Sequence, residues 1–310
     1  MNNFGFELEE LLNDQAKTVG HLGSYLNSGH LGLLLGSGVS AALKLPTWDK
    51  LVFAIHDEVF PGIRDSVKFY SNAELKELID DVKDKLAHSD YLEKIKKFLY
   101  DEVDFDFSMA KKELLIAISS LIVGKHRGNV RNIITYNFDS VLEWYLNLLG
   151  LQVDVFTKAQ FLTKSADVII AHIHGYLPFD GHGKNSKEII FASEEFTNRM
   201  LSNDYWKEYF YEFFRRHTFL ALGMSAESLV KDVCPYLAQM DIWYKHNELT
   251  RGMPYGVAFV SSGAKTEKHI TKLLASGIIP ILLDKHEDLP VAIFEIVQSA
   301  LSQKNINSRS

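Results

Sequence analysis

The chain has almost no cysteine: Cys234 is the only one in 310 residues. That excludes an internal disulfide framework, and it excludes a structural zinc site built from two cysteine pairs. Long apolar runs are also missing. Short runs such as Leu31 to Leu35 and Phe219 to Leu222 suit buried strands, and no run approaches the length of a membrane span. Excess positive charge is missing too. Lys and Arg number 33 against 40 Asp and Glu, for a net charge of -7. A protein devoted to gripping a phosphate backbone is usually basic, so nucleic acid is not the default partner. The beginning, MNNFGFELEELLND, lacks the basic start and apolar stretch of a secretory signal. Together these absences predict a soluble cytoplasmic protein with no membrane partner.

What is present is a chain 46% hydrophobic and 24% charged, enough to build a substantial core. Short apolar runs read as strands buried on both faces. They are His30–Leu35, Val130–Tyr136, Val153–Phe156, Val168–His174, Glu188–Phe191, Thr218–Leu222, Tyr255–Val260 and Ile279–Leu283. Helical patterns alternate with them at Ser140–Leu149, Glu194–His217, Ala226–Trp243, Lys265–Ala275 and Leu289–Gln303. This order predicts an α/β fold: a Rossmann-like, doubly wound, mainly parallel sheet. Residues 48–126 break the alternation with helical pattern alone, at Ala73–Leu86, Tyr91–Tyr100 and Met109–Val123. They read as a helical insertion after the first strand, placed to cap the ligand crevice at the strand ends. The polar tail, Lys304–Ser310, reads as frayed.

Four motifs carry chemistry. In LGLLLGSGVSAALKLPTW, a strand runs into Gly36, Ser37 and Gly38, with a helix beginning near Ser40. Glycines there let the backbone approach a pyrophosphate at a helix N-terminus, although a tight turn needs glycine for its own geometry as well. In IITYNFDSVLEWYL, Asn137 and Asp139 sit just past a buried strand, where α/β folds bind ligands; Asp139 also reads as a plain N-cap. In VIIAHIHGYLP, His172 and His174 alternate on a strand and so share a face, with Gly175 ending it. A neutral imidazole there suits a general base near neutral pH. A structural role bonded to backbone fits His172 better than His174, and no third ligand is spaced for a metal. In TFLALGMSAESLVKDV, Gly223 and Ser225 repeat the small-residue turn before a helix. Asp284, after the last strand, reads as a solvated loop residue.

Taken in this order, the four motifs resemble the sirtuins, and in particular the sirtuin-like proteins of bacterial anti-phage defence. The resemblance runs from about Gly32 to Asp284 and includes KEIIFASEEF at Lys187–Phe196. It implies one NAD-binding domain over residues 1–310 with the insert at about 48–126. It implies NAD as substrate, with Gly36, Ser37, Gly38, Ser40, Gly223 and Ser225 on the pyrophosphate and adenosine side. By the same resemblance, Asn137 lies beside the nicotinamide ribose and positions the attacking group, Asp139 holds the nicotinamide carboxamide, and His174 is the base.

The departures are equally informative. Cys234 alone cannot supply the four-cysteine zinc module of sirtuin deacylases, so no zinc is expected. Leu45-Pro46-Thr47-Trp48 stands where a Pro-Asp-Phe-Arg loop would be, and Tyr136 replaces a Gln. The implied reaction is therefore NAD hydrolysis to nicotinamide and ADP-ribose, by the NAD-depleting effector of an abortive-infection system. Control is implied through a homo-oligomer or a separate regulatory partner such as a nucleic-acid-handling ATPase. The alternatives are a zinc-free deacylase or ADP-ribosyltransferase, and a non-catalytic module sensing NAD or ADP-ribose.

Overall fold

Seven short strands, each parallel to its neighbours, form the centre of the molecule in the order β3-β4-β2-β1-β5-β6-β7. They are β1 (Leu31–Leu35), β2 (Asn132–Thr135), β3 (Val153–Phe156), β4 (Val168–His172), β5 (Thr218–Leu222), β6 (Gly256–Ser261) and β7 (Ile278–Leu283). This computed structural model describes residues 14–64, 70–124, 128–158, 166–179, 189–190, 204–244 and 254–307.

Every residue of β1 and of β5 is buried, because helices cover both sheet faces. The pleat then sorts side chains by parity. Leu33, Leu35, Ile133, Ile170, Leu220, Leu222, Val257 and Phe259 point into one core. There they meet α1 (Gln15–Ser28), α7 (Glu113–Ile122), α8 (Val141–Leu148), α13 (Leu289–Asn307) and the insert. Leu34, Ile134, Ala171, Phe219, Ala221, Ala258 and Val260 point into the other core, against α9 (Asp204–Arg216), α10 (Ala226–Asp232) and α11 (Cys234–Tyr244). Helix α12 (Ala264–Ala275) links β6 to β7. The expected doubly wound sheet is present.

Between β1 and β2 lie α2 (Ser37–Ala42) and then the helices of the insert: α3 (Trp48–Val59), α4 (Asn72–Lys85), α5 (His88–Tyr100), α6 (Phe107–Ala110) and α7. No strand occurs in the insert among the described residues. Helix α4 opens with a reciprocal capping box between Ser71 and Glu74. Buried Leu51, Val52 and Ile55, then Leu75, Ile79 and Val82, then Tyr91, Leu92, Ile95 and Leu99 recur at helical spacing and join the same core as the sheet.

Several boundaries differ from the sequence expectation. Helix α2 begins at Ser37 rather than near Ser40. The expected helix Ala226–Trp243 is two helices broken at Val233; Pro235 suits the first turn of a new helix and not the interior of a continuing one. Residues 189–190 are not in a strand, and the rest of the expected strand Glu188–Phe191 lies outside the described residues, as do residues 194–203 of the expected Glu194–His217 helix. The frayed tail is corrected at 304–307, which continue α13, while 308–310 lie outside the described residues. Helix α1 was not anticipated. Gly20 and Gly23 weaken its helical signal, yet α1 packs so closely on α13 that a Cβ on Gly23 would sit 2.8 Å from Ser299 Oγ and 3.0 Å from the Ala300 backbone nitrogen.

Chain direction places the crevice. From β1 the chain continues, through the insert, to β2 on one side; from β5 it continues to β6 on the other. The turns after these two neighbours therefore diverge, making β1/β5 the switch point at which open α/β sheets bind ligands.

Candidate active site

Two glycine turns meet at that point. Gly36 N–H donates to Leu222 O at 2.9 Å, and Gly38 N–H donates to Gly223 O at 2.9 Å. Gly223 has φ +67°, a region that disfavours any side chain. A Cβ on Gly223 would lie 2.4 Å from Val39 N, and one on Gly38 would lie 2.8 Å from Gly223 Cα. The glycines thus serve the mutual packing of two backbones. The N–H groups of Gly36 and Gly38 are committed to carbonyls at the end of β5 and in the turn after it, while Ser37, Ser225 and Ser228 line the same cleft. Ser225 also caps α10 by accepting from Ser228 N–H at 3.0 Å.

Beside the turns, the segment after β2 builds a buried polar chain. Asn137 Nδ2 donates to Gly36 O at 3.1 Å and to Ser40 Oγ at 2.8 Å, which accounts for both amide hydrogens. Ser40 Oγ in turn donates to Asp139 Oδ2 at 2.5 Å, and Asp139 Oδ1 accepts Val141 N–H at 3.2 Å. Asp139 therefore does serve the start of α8, while its second oxygen reaches the glycine turn. Burial is the main influence raising the Asp139 carboxyl above its ordinary range, with Glu143 adding to it; the hydrogen bond from Ser40 pulls the other way.

The two histidines separate. His172, 1% exposed, is the last residue of β4; its Nδ1 lies 2.8 Å from Asn137 O and its Nε2 lies 2.5 Å from Glu143 Oε1. A carbonyl only accepts, so Nδ1 carries a hydrogen, and the Nε2–Oε1 pair must share one further proton. His172 is thus a clamp on the backbone of Asn137. His174 lies beyond the strand end, so the alternation that would have given both rings a common face has stopped. His174 lines the open cleft with its Nε2 buried, and Tyr136 lies edge-on to its ring at 5.0 Å and Phe138 at 6.4 Å between centroids. Ile190 N–H fixes its carbonyl at 2.8 Å.

The cleft encloses about 600 Å³, within the range of small-molecule sites. It brings together Gly36, Ser37, Gly38, Asn137, His174, Gly223 and Ser225. Ser40 and Asp139 do not line it; they border a small cavity beneath, with Glu143 and His172. The insert contributes Trp48 and Lys76 to the wall. Lys231, Asp232, Ser261 and His286 also line it and were missed. Ser261 ends β6 and was open to the same strand-end rule, whereas Lys76 on an amphipathic insert helix carries no sequence signal. Asp284 is exposed, as expected. Among the described residues no cluster of three or more His, Cys, Asp or Glu could hold a metal ion, and no helix is long and apolar enough to cross a membrane.

Residues 131–230 match the SIR2-like domain model. The SIR2-like segment runs from the start of β2 into α10 and carries Asn137, Asp139, His174, Gly223 and Ser225; the first glycine turn and the insert precede it. It points to an NAD-using enzyme of sirtuin-like activity. No curated protein matches the chain.

Proposed function

We propose that the protein is an NAD glycohydrolase that cleaves NAD to nicotinamide and ADP-ribose, acting as one domain with a helical insert. The observation that carries this reading is the convergence of Asn137, after β2, and His174, after β4, on one cleft that opens at the interlocked glycine turns. In the reaction, the bond from the nicotinamide nitrogen to the ribose breaks, and the electron pair neutralises the pyridinium. Water forms the new bond to the ribose carbon, and its proton passes to His174. Both Asn137 amide hydrogens already have partners, so its carboxamide oxygen is the group suited to orienting that water. Ser40 and Asp139 act here as positioning residues, holding the Asn137 amide from beneath. Hydroxyls of Ser37 and Ser225, with Lys76 and Lys231 on the same walls, suit the pyrophosphate.

Water is the acceptor in this reading because the chain lacks the cysteines of the zinc module beside which sirtuin deacylases bind acyl-lysine. An NAD-depleting role in anti-phage defence, held in check by self-assembly or a regulatory partner, is the biological setting this chemistry suits. Incubation with NAD, with and without an acetylated peptide, tests the reaction class. Nicotinamide and ADP-ribose at equal rates in both mixtures support hydrolysis; release only with peptide, with an acetylated ADP-ribose, would establish deacylation instead.

A further inference from the structure

Among the described residues, one phenol of the insert hydrogen-bonds to both loops that carry the candidate catalytic residues. Tyr100, the last residue of α5, is buried at 6% exposure. Its hydroxyl accepts Ser140 N–H at 2.8 Å and donates to Leu177 O at 2.7 Å. Ser140 follows Asn137 and Asp139; Leu177 follows His174 and Gly175. The two loops are also bonded to each other, through Leu177 N–H to Phe138 O at 2.8 Å and Phe179 N–H to Ser140 Oγ at 3.0 Å. Around the phenol, Phe105 of the insert stacks on Phe179 at 4.0 Å and meets Trp144 of α8 edge-on at 5.2 Å.

We infer that Tyr100 is a positioning residue that locks the Asn137 loop and the His174 loop into one register, so that the helical insert is a working part of the active site. The inference rests on the hydrolase reading for its kinetic consequence only. Burial raises the Tyr100 hydroxyl well above its ordinary range, so it stays protonated and keeps donating to Leu177. Among the described residues the hydroxyl is the one side-chain group of the insert hydrogen-bonded to both loops, and neither bond can be replaced by Phe. Catalysis is sensitive to small displacements between a base and the group that orients its water. Movement of α5 therefore reaches both loops together, and whatever draws α5 away slackens the site without touching the cleft.

The test is Tyr100→Phe, which keeps the aromatic packing and removes only the hydroxyl, with circular dichroism to verify folding. Hydrogen exchange should quicken roughly tenfold or more in peptides covering both 137–141 and 175–179, with β1 and β5 unchanged. NAD turnover should show kcat lowered roughly ten- to hundredfold while KM stays within about twofold. A merely structural loss would scale the active fraction and lower the melting temperature without a loop-specific exchange pattern. Exchange unchanged in either loop, or wild-type kcat, overturns the inference. A wild type that does not turn over NAD removes the hydrolase reading instead, and exchange alone then decides the coupling: loosening of both loops supports it, and unchanged rates overturn it.

Discussion

Replacing Gly223 by alanine tests whether the interlocked turns hold the site. At φ +67° a Cβ meets its own backbone, which costs about 1–2 kcal/mol. The added carbon would also lie 2.4 Å from Val39 N and 2.9 Å from both Gly36 O and Gly38 C. All three neighbours are backbone atoms that cannot rotate away, so overpacking adds about 1–3 kcal/mol. The loss should therefore be roughly 2–5 kcal/mol, a large part of a typical domain's stability. Urea unfolding followed by circular dichroism reads it directly. Gly20→Ala is the matched control: it lies inside α1 with nothing within 4 Å of the added carbon, and should stabilise by about 1 kcal/mol. Because Gly36 O accepts from Asn137, the fraction of Gly223→Ala that stays folded should also lose NAD turnover. A Gly223→Ala protein within about 0.5 kcal/mol of wild type would refute the account of the two turns.

Two further perturbations probe the buried polar groups. Glu143→Ala strips His172 of its partner and should cost about 3–5 kcal/mol, whereas Glu143→Gln, whose amide can donate to neutral Nε2, should cost about 1–2 kcal/mol; equal losses in denaturant titrations would argue against the shared-proton clamp. His21, 2% exposed in α1, is pushed down to about 4 by burial, so it stays neutral in the fold while the unfolded chain's histidine takes up a proton near pH 6.5. Its stabilising share is complete above about pH 6.5 and falls as pH drops toward about 4, by about 2 kcal/mol at about pH 5. His21→Leu should remove that part of the acid dependence, and identical stability-against-pH curves would show that it carries none.

The sheet was legible because its central strands β1 and β5 are apolar runs bounded by turn residues and buried on both faces, while the edge strand β3, with Asp154 and three half-buried residues, was marked by its Val and Phe. The strand-end rule also marked Gly36, Asn137, Gly223 and Ser225, which line the cleft, whereas His174, read as the last residue of its strand, lines the cleft from two residues beyond the strand's end at His172. The partners of these residues were not legible, because they come from distant parts of the chain. Nothing local in Gly36 or Gly38 says that its N–H bonds to Leu222 or Gly223 at the end of β5, and nothing in Leu142-Glu143-Trp144 says that Glu143 meets His172. Asp139 read from its own residues as the helix N-cap; that position is Ser140, and the two Asp139 oxygens divide between Val141 and Ser40. Helix α1 was hidden because Gly23, needed for close approach to α13, is the residue that erases helical pattern. Lys76 and Tyr100 sit on amphipathic helices whose relation to the sheet depends on how the insert folds back over it.

The most direct test of the central claim is NAD turnover by wild type, His174→Ala and Asn137→Ala under identical conditions, with nicotinamide and ADP-ribose quantified by chromatography and NAD binding measured in parallel by calorimetry. The account predicts equal amounts of both products from wild type, and loss of roughly a hundredfold or more in each variant with binding of NAD retained. Undiminished turnover in His174→Ala, or a wild type that binds NAD and releases neither product, would contradict it.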